Sequence, residues 1–400
     1  MKIAGIIAEY DPFHAGHAYH IAETKRRLGA DGIICVMSGP FVQRGEPAFL
    51  DKYARAEAAV RGGADLVLEL PPPYAAASAE GFARGGVSLL KACGCVNAVS
   101  FGAETDDLPL LQNAAALLLD EGVMQEARPL MKEGRSYAVS LAAALRARDP
   151  ALAEVIGSPN NMLAVEYLKA LRELEITDME PFVLKRAGAA YHDEDALLKD
   201  STAGFPSASA IRKAVLNGSF SGSSCGDLSL ALSPEAVMLP LAAKLRTLAY
   251  TGADLTVYED VSPDLAARIL AAAPYTVSYA ALCGQIGTKA FTLARVKRAL
   301  MHILLEIRKG DPRRLPAYLK ILALREGSPA AGALAAKARL PRITKAAGDR
   351  ADLAADARFA QDLYHQMVFA AHGVSLPDDF RRSPFILREA KNNSGDRSGS

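Results

Sequence analysis

Apolar positions fall in short, unbroken runs through the first two hundred residues. Five such runs cover residues 2–8, 31–37, 64–70, 96–101 and 181–185. They are nearly continuous rather than alternating, the pattern of strands buried on both faces of a parallel sheet. Between them apolar residues recur with helical spacing. Asp51 is placed to cap a helix that Gly62 and Gly63 stop, and further helices are predicted over residues 78–90 and 108–121. The β–α alternation predicts a doubly wound α/β sheet. Ligands of such sheets gather beyond the carboxyl ends of the strands. Residues 14–17, 38–46, 71–74 and 102–104 each follow a predicted strand, so these four loops are expected to converge.

Beyond about residue 225 the strand signal fades and helical periodicity takes over. Val296, Leu300, Ile303, Leu304 and Ile307 form one apolar helix face. The other side carries Lys289, Arg295, Lys297 and Arg298, followed by Arg308, Lys309, Arg313 and Arg314, against only Glu306 and Asp311. Either this is a solvated face or it meets a large polyanion. The chain is therefore expected to divide into an α/β unit over residues 1–225, a mainly α-helical unit over residues 226–391 and a polar, unstructured tail over residues 392–400.

Composition narrows the class. Of 400 residues, 50% are hydrophobic and 23% charged, which fits a globular chain with a sizeable core. A net charge of +1 does not by itself announce a nucleic-acid binder. No apolar run reaches the eighteen residues of a membrane span, and no leader pattern is present, so a cytoplasmic protein without membrane attachment is expected. Cys35, Cys93, Cys95, Cys225 and Cys283 are scattered without paired spacing. They point to a reducing compartment and away from structural zinc.

The densest chemistry lies directly after the first predicted strand, in Tyr10-Asp-Pro-Phe-His-Ala-Gly-His-Ala-Tyr-His20. A strand ending in a turn with His14, Gly16 and His17, and then opening a helix, is laid out to hold phosphates. Glycine lets backbone come close, the helix start favours negative charge, and imidazoles donate to oxygens. That suits attack on a nucleotide α-phosphate, where charge builds on non-bridging oxygens as pyrophosphate leaves. A metal site formed by His14, His17 and His20 with Asp11 is the competing reading, but no second ligand cluster supports it. Further along, Ser207, Ser209 and Arg212 open a helix and are candidates for holding pyrophosphate. Ser158-Pro-Asn-Asn161 begins another helix, with either asparagine a cap or a ribose or base contact. Lys185 and Arg186 end a strand and are candidates for neutralising phosphate. Gly102, in Phe101-Gly-Ala-Glu104, is either a turn glycine or a point of close approach to an adenosine. Gln43-Arg-Gly-Glu46 reads as a substrate-side loop.

Taken in order, these segments resemble the bacterial tRNA(Met) cytidine acetate ligases, members of the His-x-Gly-His nucleotidyltransferase superfamily. The resemblance runs through Ile7-Ala-Glu-Tyr-Asp-Pro-Phe-His-Ala-Gly-His17, Ser38-Gly-Pro-Phe-Val-Gln-Arg-Gly-Glu46, Gly63-Ala-Asp-Leu-Val-Leu-Glu-Leu-Pro71, Phe101-Gly-Ala-Glu104, Ser158-Pro-Asn-Asn161, Lys185-Arg186 and residues 207–212. It continues more weakly through residues 292–304. It implies a Rossmann-like nucleotidyltransferase sheet and an enzyme that makes acetyl-adenylate from ATP and acetate. The acetyl group then passes to N4 of the wobble cytidine of elongator tRNA(Met). ATP would be a co-substrate accompanied by Mg2+, with no tightly bound cofactor and no protein metal site. The resemblance assigns ATP contacts to Ile7, Ala8, Glu9, Tyr10, Asp11, Pro12, Phe13, His14, Ala15, Gly16, His17, Ala18, Tyr19, His20, Gly102, one of Asn160 and Asn161 (Asn161 being preferred), and Arg186. Two positions depart from it, since the family usually has asparagine where this chain has Asp11 and Ala15. Asp11 would add a negative charge near the phosphates.

Acetate acylates poorly and the cytosine amine is a weak nucleophile. A mixed anhydride with AMP answers the first difficulty, and positioning the second. His14 and His17 are the expected catalytic groups at the α-phosphate, with Arg186, Lys185, Ser207, Ser209 and Arg212 toward the polyphosphate. Lys289, Arg295, Lys297 and Arg298 are the expected tRNA contacts. Two other readings are a small-molecule adenylyltransferase of the same superfamily and a non-catalytic, ATP-sensing RNA-binding protein.

Overall fold

The computed structural model describes residues 1–132, 137–146, 148–186, 206–220, 227–345 and 352–388. The expected polar tail and Cys225 lie outside the described residues. The chain begins with β1 (Ile3–Ala8), α1 (Ala15–Leu28) and β2 (Gly32–Ser38). A small hairpin, β3 (Phe41–Val42) and β4 (Glu46–Pro47), leads into α2 (Lys52–Arg61). Next come β5 (Leu66–Leu70), α3 (Pro72–Ala75), α4 (Ala79–Ala92) and β6 (Ala98–Ala103). A helical stretch follows: α5 (Leu108–Leu118), α6 (Glu121–Lys132), α7 (Tyr137–Arg146), α8 (Pro150–Val155) and α9 (Pro159–Glu173). It ends at β7 (Glu180–Lys185), and α10 (Ala208–Leu216) comes after.

All five predicted strands are present. Their order across the sheet is β5-β2-β1-β6-β7, every neighbouring pair parallel. The chain moves outward from β1 in both directions, so the order reverses at the β1/β6 junction, where doubly wound sheets bind ligands. Alternation along β1 sends Ile3 and Ile7 into one apolar core and Ala4 and Ile6 into another on the opposite face. Helices cover both faces. Gly5 is what lets α4 lie against β1, because a Cβ there would sit 2.6 Å from the Leu90 methyls.

The helices follow the predicted stop and start signals. Asp51 caps α2 by accepting from the Tyr53 N–H at 3.0 Å. Ser207 caps α10 in the same way, and at α9 the cap is Ser158 rather than either candidate asparagine.

The later chain supplies α11 (Met238–Thr251), α12 (Pro263–Ala272), α13 (Tyr279–Ile286) and α14 (Leu293–Leu304), packed around their own core. The second half is mainly α-helical, as expected, and in addition returns strands to the first sheet. β8 (Leu319–Arg325) returns to the first sheet and pairs antiparallel with β5. After α15 (Pro329–Lys337) and α16 (Ala355–His372), which flank β9 (Arg342–Ile343), β10 (Phe385–Leu387) pairs parallel with β8. The sheet is therefore completed by residues far beyond 225.

Burying this return requires an unusual device. Lys52 of α2, Glu69 of β5, Lys320 of β8 and Asp379 meet in the interior, each almost wholly shielded from water. Lys52 reaches Glu69 at 2.9 Å and Asp379 at 3.2 Å, and Lys320 pairs with Asp379. Two cations and two carboxylates balance, and Tyr53 adds an O–H donor to Asp379 at 2.8 Å. Desolvation costs several kcal/mol per ion, which only such mutual pairing offsets.

Candidate nucleotide site

His14 ends the turn after β1 and caps α1. Its Nδ1 accepts from the Gly16 N–H at 3.1 Å, while the His14 N–H donates to Nδ1 of His17 at 3.3 Å. This is a capping box built from two imidazoles. Because both Nδ1 atoms accept, each neutral ring carries its proton on Nε2. Neither Nε2 has a protein partner among the described residues. The rings lie 3.8 Å apart, tilted by 32°. Two adjacent N–H donors are thus held at the start of a helix whose first turn contains no carboxylate and whose last turn carries Lys25, Arg26 and Arg27. The helix start therefore favours an anion at His14, and the one carboxylate on α1, Glu23, is paired with Arg26 and Arg27 near the far end.

The same environment keeps the imidazoles neutral. Burial, followed by the charges of Arg186 and Arg212, pushes His14 down to about 4. Burial and then the neighbouring His14, His20 and Arg186 put His17 well below the ordinary imidazole range. His20 falls to about 4 through burial and Arg186. It does not join the pair, because its Nε2 lies 2.9 Å from Oγ of Ser100, which also meets Thr24. His20 therefore fastens α1 to β6. Arg186 and Arg212 both lie near enough to the histidine turn for their charges to act on His14. Arg186 follows β7, and its backbone N–H bonds the Ala103 carbonyl. Arg212 comes from α10, reaching the Asp11 carbonyl and Oγ of Ser209.

Asp11 is buried, and its charge is balanced inside the fold. Oδ1 accepts from the Phe49 N–H at 2.6 Å, Oδ2 pairs with Arg44, and Arg212 lies 3.7 Å away. Glu9 also pairs with Arg44 and accepts from the Gln43 N–H at 2.8 Å. The loop of residues 43–46 is therefore bound to the histidine turn, two of the four expected loops having met. The carboxylates of Glu9 and Asp11, both committed to Arg44, do not form a metal site, and no cluster of metal-ligating side chains occurs among the described residues.

The remaining expected residues divide. Gly102 lies within β6 opposite Leu184, and a Cβ there would make only ordinary contact with Arg186. Asn161 is buried, its Oδ1 accepting from the backbone of Glu104 and Thr105. Glu104 accepts in return from Ser158, the Asn160 amide and the Asn161 N–H. Burial alone would raise the Glu104 carboxyl, but the Ser158 and Asn160 bonds outweigh it and hold it low. Ser207 is spent on its cap. Lys185 points to Asp106 at 3.9 Å, on the exposed side. Tyr74, in the loop of residues 71–74, bonds the Arg314 carbonyl instead of the histidine turn. On α14, Lys297 pairs with Glu46 at 2.5 Å, Arg298 with Asp260 at 3.1 Å, and Arg295 lies over the Phe291 ring, while Lys289, before the helix, is exposed.

One residue that the pattern of the sequence did not single out organises the loops. Arg55, on the buried face of α2, has no carboxylate partner within ion-pair distance among the described residues. It donates to the carbonyls of Glu9 at 2.7 Å, Ser38 at 3.0 Å and Leu50 at 2.9 Å, and to Gly39. The guanidinium fork thus clamps the ends of β1 and β2 together. Its only trace in the sequence is an arginine on the apolar side of a predicted helix.

Comparison with known proteins gives the family. A family model for the HIGH Nucleotidyl Transferase matches residues 1–376. The tRNA(Met) cytidine acetate ligase of Syntrophotalea carbinolica is 38% identical over 372 residues, covering 86% of this chain and 85% of that one. That of Lysinibacillus sphaericus is 34% identical over 415 residues, covering 96% and 99%. The crystal structure of Thermotoga maritima TmcAL bound with alpha-thio ATP superposes with a TM-score of 0.85 at 27% identity, covering 97% of this chain and all of that one. With the His-x-Gly-His turn intact at the switch point of its sheet and these relatives matched along most of its length, the chain belongs to the HIGH nucleotidyl transferase family and, within it, to the tRNA(Met) cytidine acetate ligases.

Proposed function

We propose that this protein is an ATP-dependent ligase that activates acetate as acetyl-adenylate and acetylates N4 of the wobble cytidine in elongator tRNA(Met). The observation that carries the reading is the pair of neutral imidazoles with both Nε2–H groups turned away from internal partners at the β1 carboxyl end, flanked by Arg186 and Arg212.

In the first step a carboxylate oxygen of acetate attacks the α-phosphorus of ATP. The bond to the bridging oxygen breaks and pyrophosphate leaves with the electron pair. His14 and His17 donate from Nε2 to the α-phosphate oxygens, where negative charge grows. Arg212, already anchored through the Asp11 carbonyl and Ser209, and Arg186 oppose the charge of the departing pyrophosphate. A magnesium ion would arrive on the phosphates of ATP, since the carboxylates beside the turn are committed to Arg44.

In the second step the N4 lone pair of cytidine attacks the acetyl carbonyl and AMP leaves. The amine, made acidic by the attack, loses its proton to solvent. We assign the tRNA to the side of the helical unit, residues 226 to about 315, which adjoins the nucleotide site through the Lys297–Glu46 contact. Acetate-dependent exchange of labelled pyrophosphate into ATP, followed by transfer of labelled acetyl to a tRNA(Met) transcript, tests both half-reactions. Exchange that ignores acetate would remove the reading.

A further inference from the structure

The connection from α14 to β8, residues 308–314, carries Arg308, Lys309, Arg313 and Arg314 against Asp311 alone. Its backbone is fixed on two sides. Toward the helical unit, the Lys309 N–H donates to the Val257 carbonyl at 3.0 Å and the Gly310 N–H to the Glu259 carboxylate at 2.9 Å. Toward the sheet, Tyr74 donates to the Arg314 carbonyl at 2.9 Å, and buried Pro312 packs on α4 at Gly81. Gly310 takes the left-handed φ of +89° that the turn requires, and Asp311 closes it by accepting from the Arg308 N–H at 2.7 Å. The loop's backbone is thus held from both units.

Its side chains are not committed in the same way. Arg308, Lys309 and Arg313 are exposed, and none makes an ion pair among the described residues. Arg314 meets Asp311 at 3.2 Å yet remains 78% exposed. On α14, by contrast, Lys297 and Arg298 are half-buried and matched to Glu46 and Asp260. A matched pair has little left to offer a polyanion, whereas unmatched cations on a rigid backbone bind one at low entropic cost. The loop is also well placed. Tyr74, its anchor, follows the carboxyl end of β5, two strands along the sheet from β1.

We infer that residues 308–314 form the surface that grips the phosphate backbone of the RNA substrate, while Lys297 ties the helical unit to Glu46 of the sheet unit and Arg298 pairs within its own unit. The inference rests on the function proposed above for its choice of RNA. The test replaces Arg308, Lys309 and Arg313 together with Gln in the full-length protein. Binding of an elongator tRNA(Met) transcript is then followed against salt, with pyrophosphate exchange measured in parallel. Each lost phosphate contact lowers the log–log salt slope by about 0.7–0.9, so the triple variant should lose about 2–3 from the slope. Thermal unfolding and acetate-dependent exchange should match the wild type. An unchanged slope and affinity in the folded variant overturn the inference, as does a Lys297→Gln variant that alone carries the slope change. If the loop variant loses its slope but wild type shows no acetate-dependent exchange, the surface stands and the catalytic reading fails.

Discussion

The imidazoles of His14 and His17 face one another with centroids 3.8 Å apart, each ring holding a backbone N–H on its Nδ1. The stacking matters because two protonated rings at this distance would repel. Neutrality, tautomer and helix cap are one arrangement, and each can be perturbed separately.

Replacing His14 by Asn separates cap from donor. The Asn side-chain oxygen can still accept from the Gly16 N–H, and asparagine is among the best helix caps. The donor that His14 holds toward the α-phosphate is then gone, leaving His17 alone. Stability should stay within about 0.5 kcal/mol, while exchange turnover falls by roughly 10²–10³, the usual loss for one such donor. His14→Ala should lose the turnover and also about 1 kcal/mol of stability. Urea unfolding and exchange kinetics on both variants check this. Near-normal exchange in His14→Asn would remove the assigned role.

An unperturbed histidine titrates near 6.5, but His14 and His20 are held at about 4. Exchange should therefore run level from pH 8 through pH 6 and fall only as pH approaches 4 to 5. Stability follows with a definite sign. The unfolded chain takes up protons at these histidines below pH 6.5, whereas the folded chain resists until about pH 4. Their contribution is complete above pH 6.5 and is lost as pH falls toward 4, by at most about 1.4 kcal/mol per pH unit for each. A rate profile that breaks at 6.5 would show that the catalytic imidazoles are not shielded.

Asp11→Asn keeps an acceptor for the Phe49 N–H but removes the charge that balances Arg44 and Arg212. Stability should drop by about 1.5–3 kcal/mol, the range for a hydrogen bond to a charged group. ATP affinity should be unchanged or tighter, because the field at the turn becomes more positive. Calorimetric titration with and without Mg2+ should give the same direction of change. A large loss of affinity confined to the magnesium condition would mean that Asp11 holds metal.

Asp379→Ala leaves Lys52 and Lys320 sharing Glu69 alone in a dry interior. Breaking such a network costs about 3–5 kcal/mol, so the variant should unfold at markedly lower denaturant. A change below about 1 kcal/mol would indicate that water reaches these groups.

Legibility in the sequence followed solvent exposure. The five parallel strands were visible because strands covered on both faces are nearly unbroken apolar runs, and the helix starts were visible at Asp51 and Ser207, whereas at α9 the cap is Ser158 and neither of the two asparagines. The strand over Leu319–Arg325 was obscured by Lys320, which reads as a solvated break but is a buried ion. Its surviving signal was the short apolar run between Pro316 and Gly327. The histidine turn was legible because its chemistry is contiguous. The Arg55 clamp and the Lys52–Glu69–Lys320–Asp379 cluster were not, since their partners are distant in sequence and charges give no pattern of burial. The basic stretch was legible as charge, but which cations were already matched emerged only when Glu46 and Asp260 came into place.

The central claim is that this site joins acetate to the α-phosphate of ATP. The most direct measurement is incorporation of labelled pyrophosphate into ATP by purified protein, without tRNA, with acetate present or omitted. The account predicts exchange that requires acetate and collapses in His14→Asn. Exchange that proceeds equally without acetate, or that survives loss of His14, would contradict it.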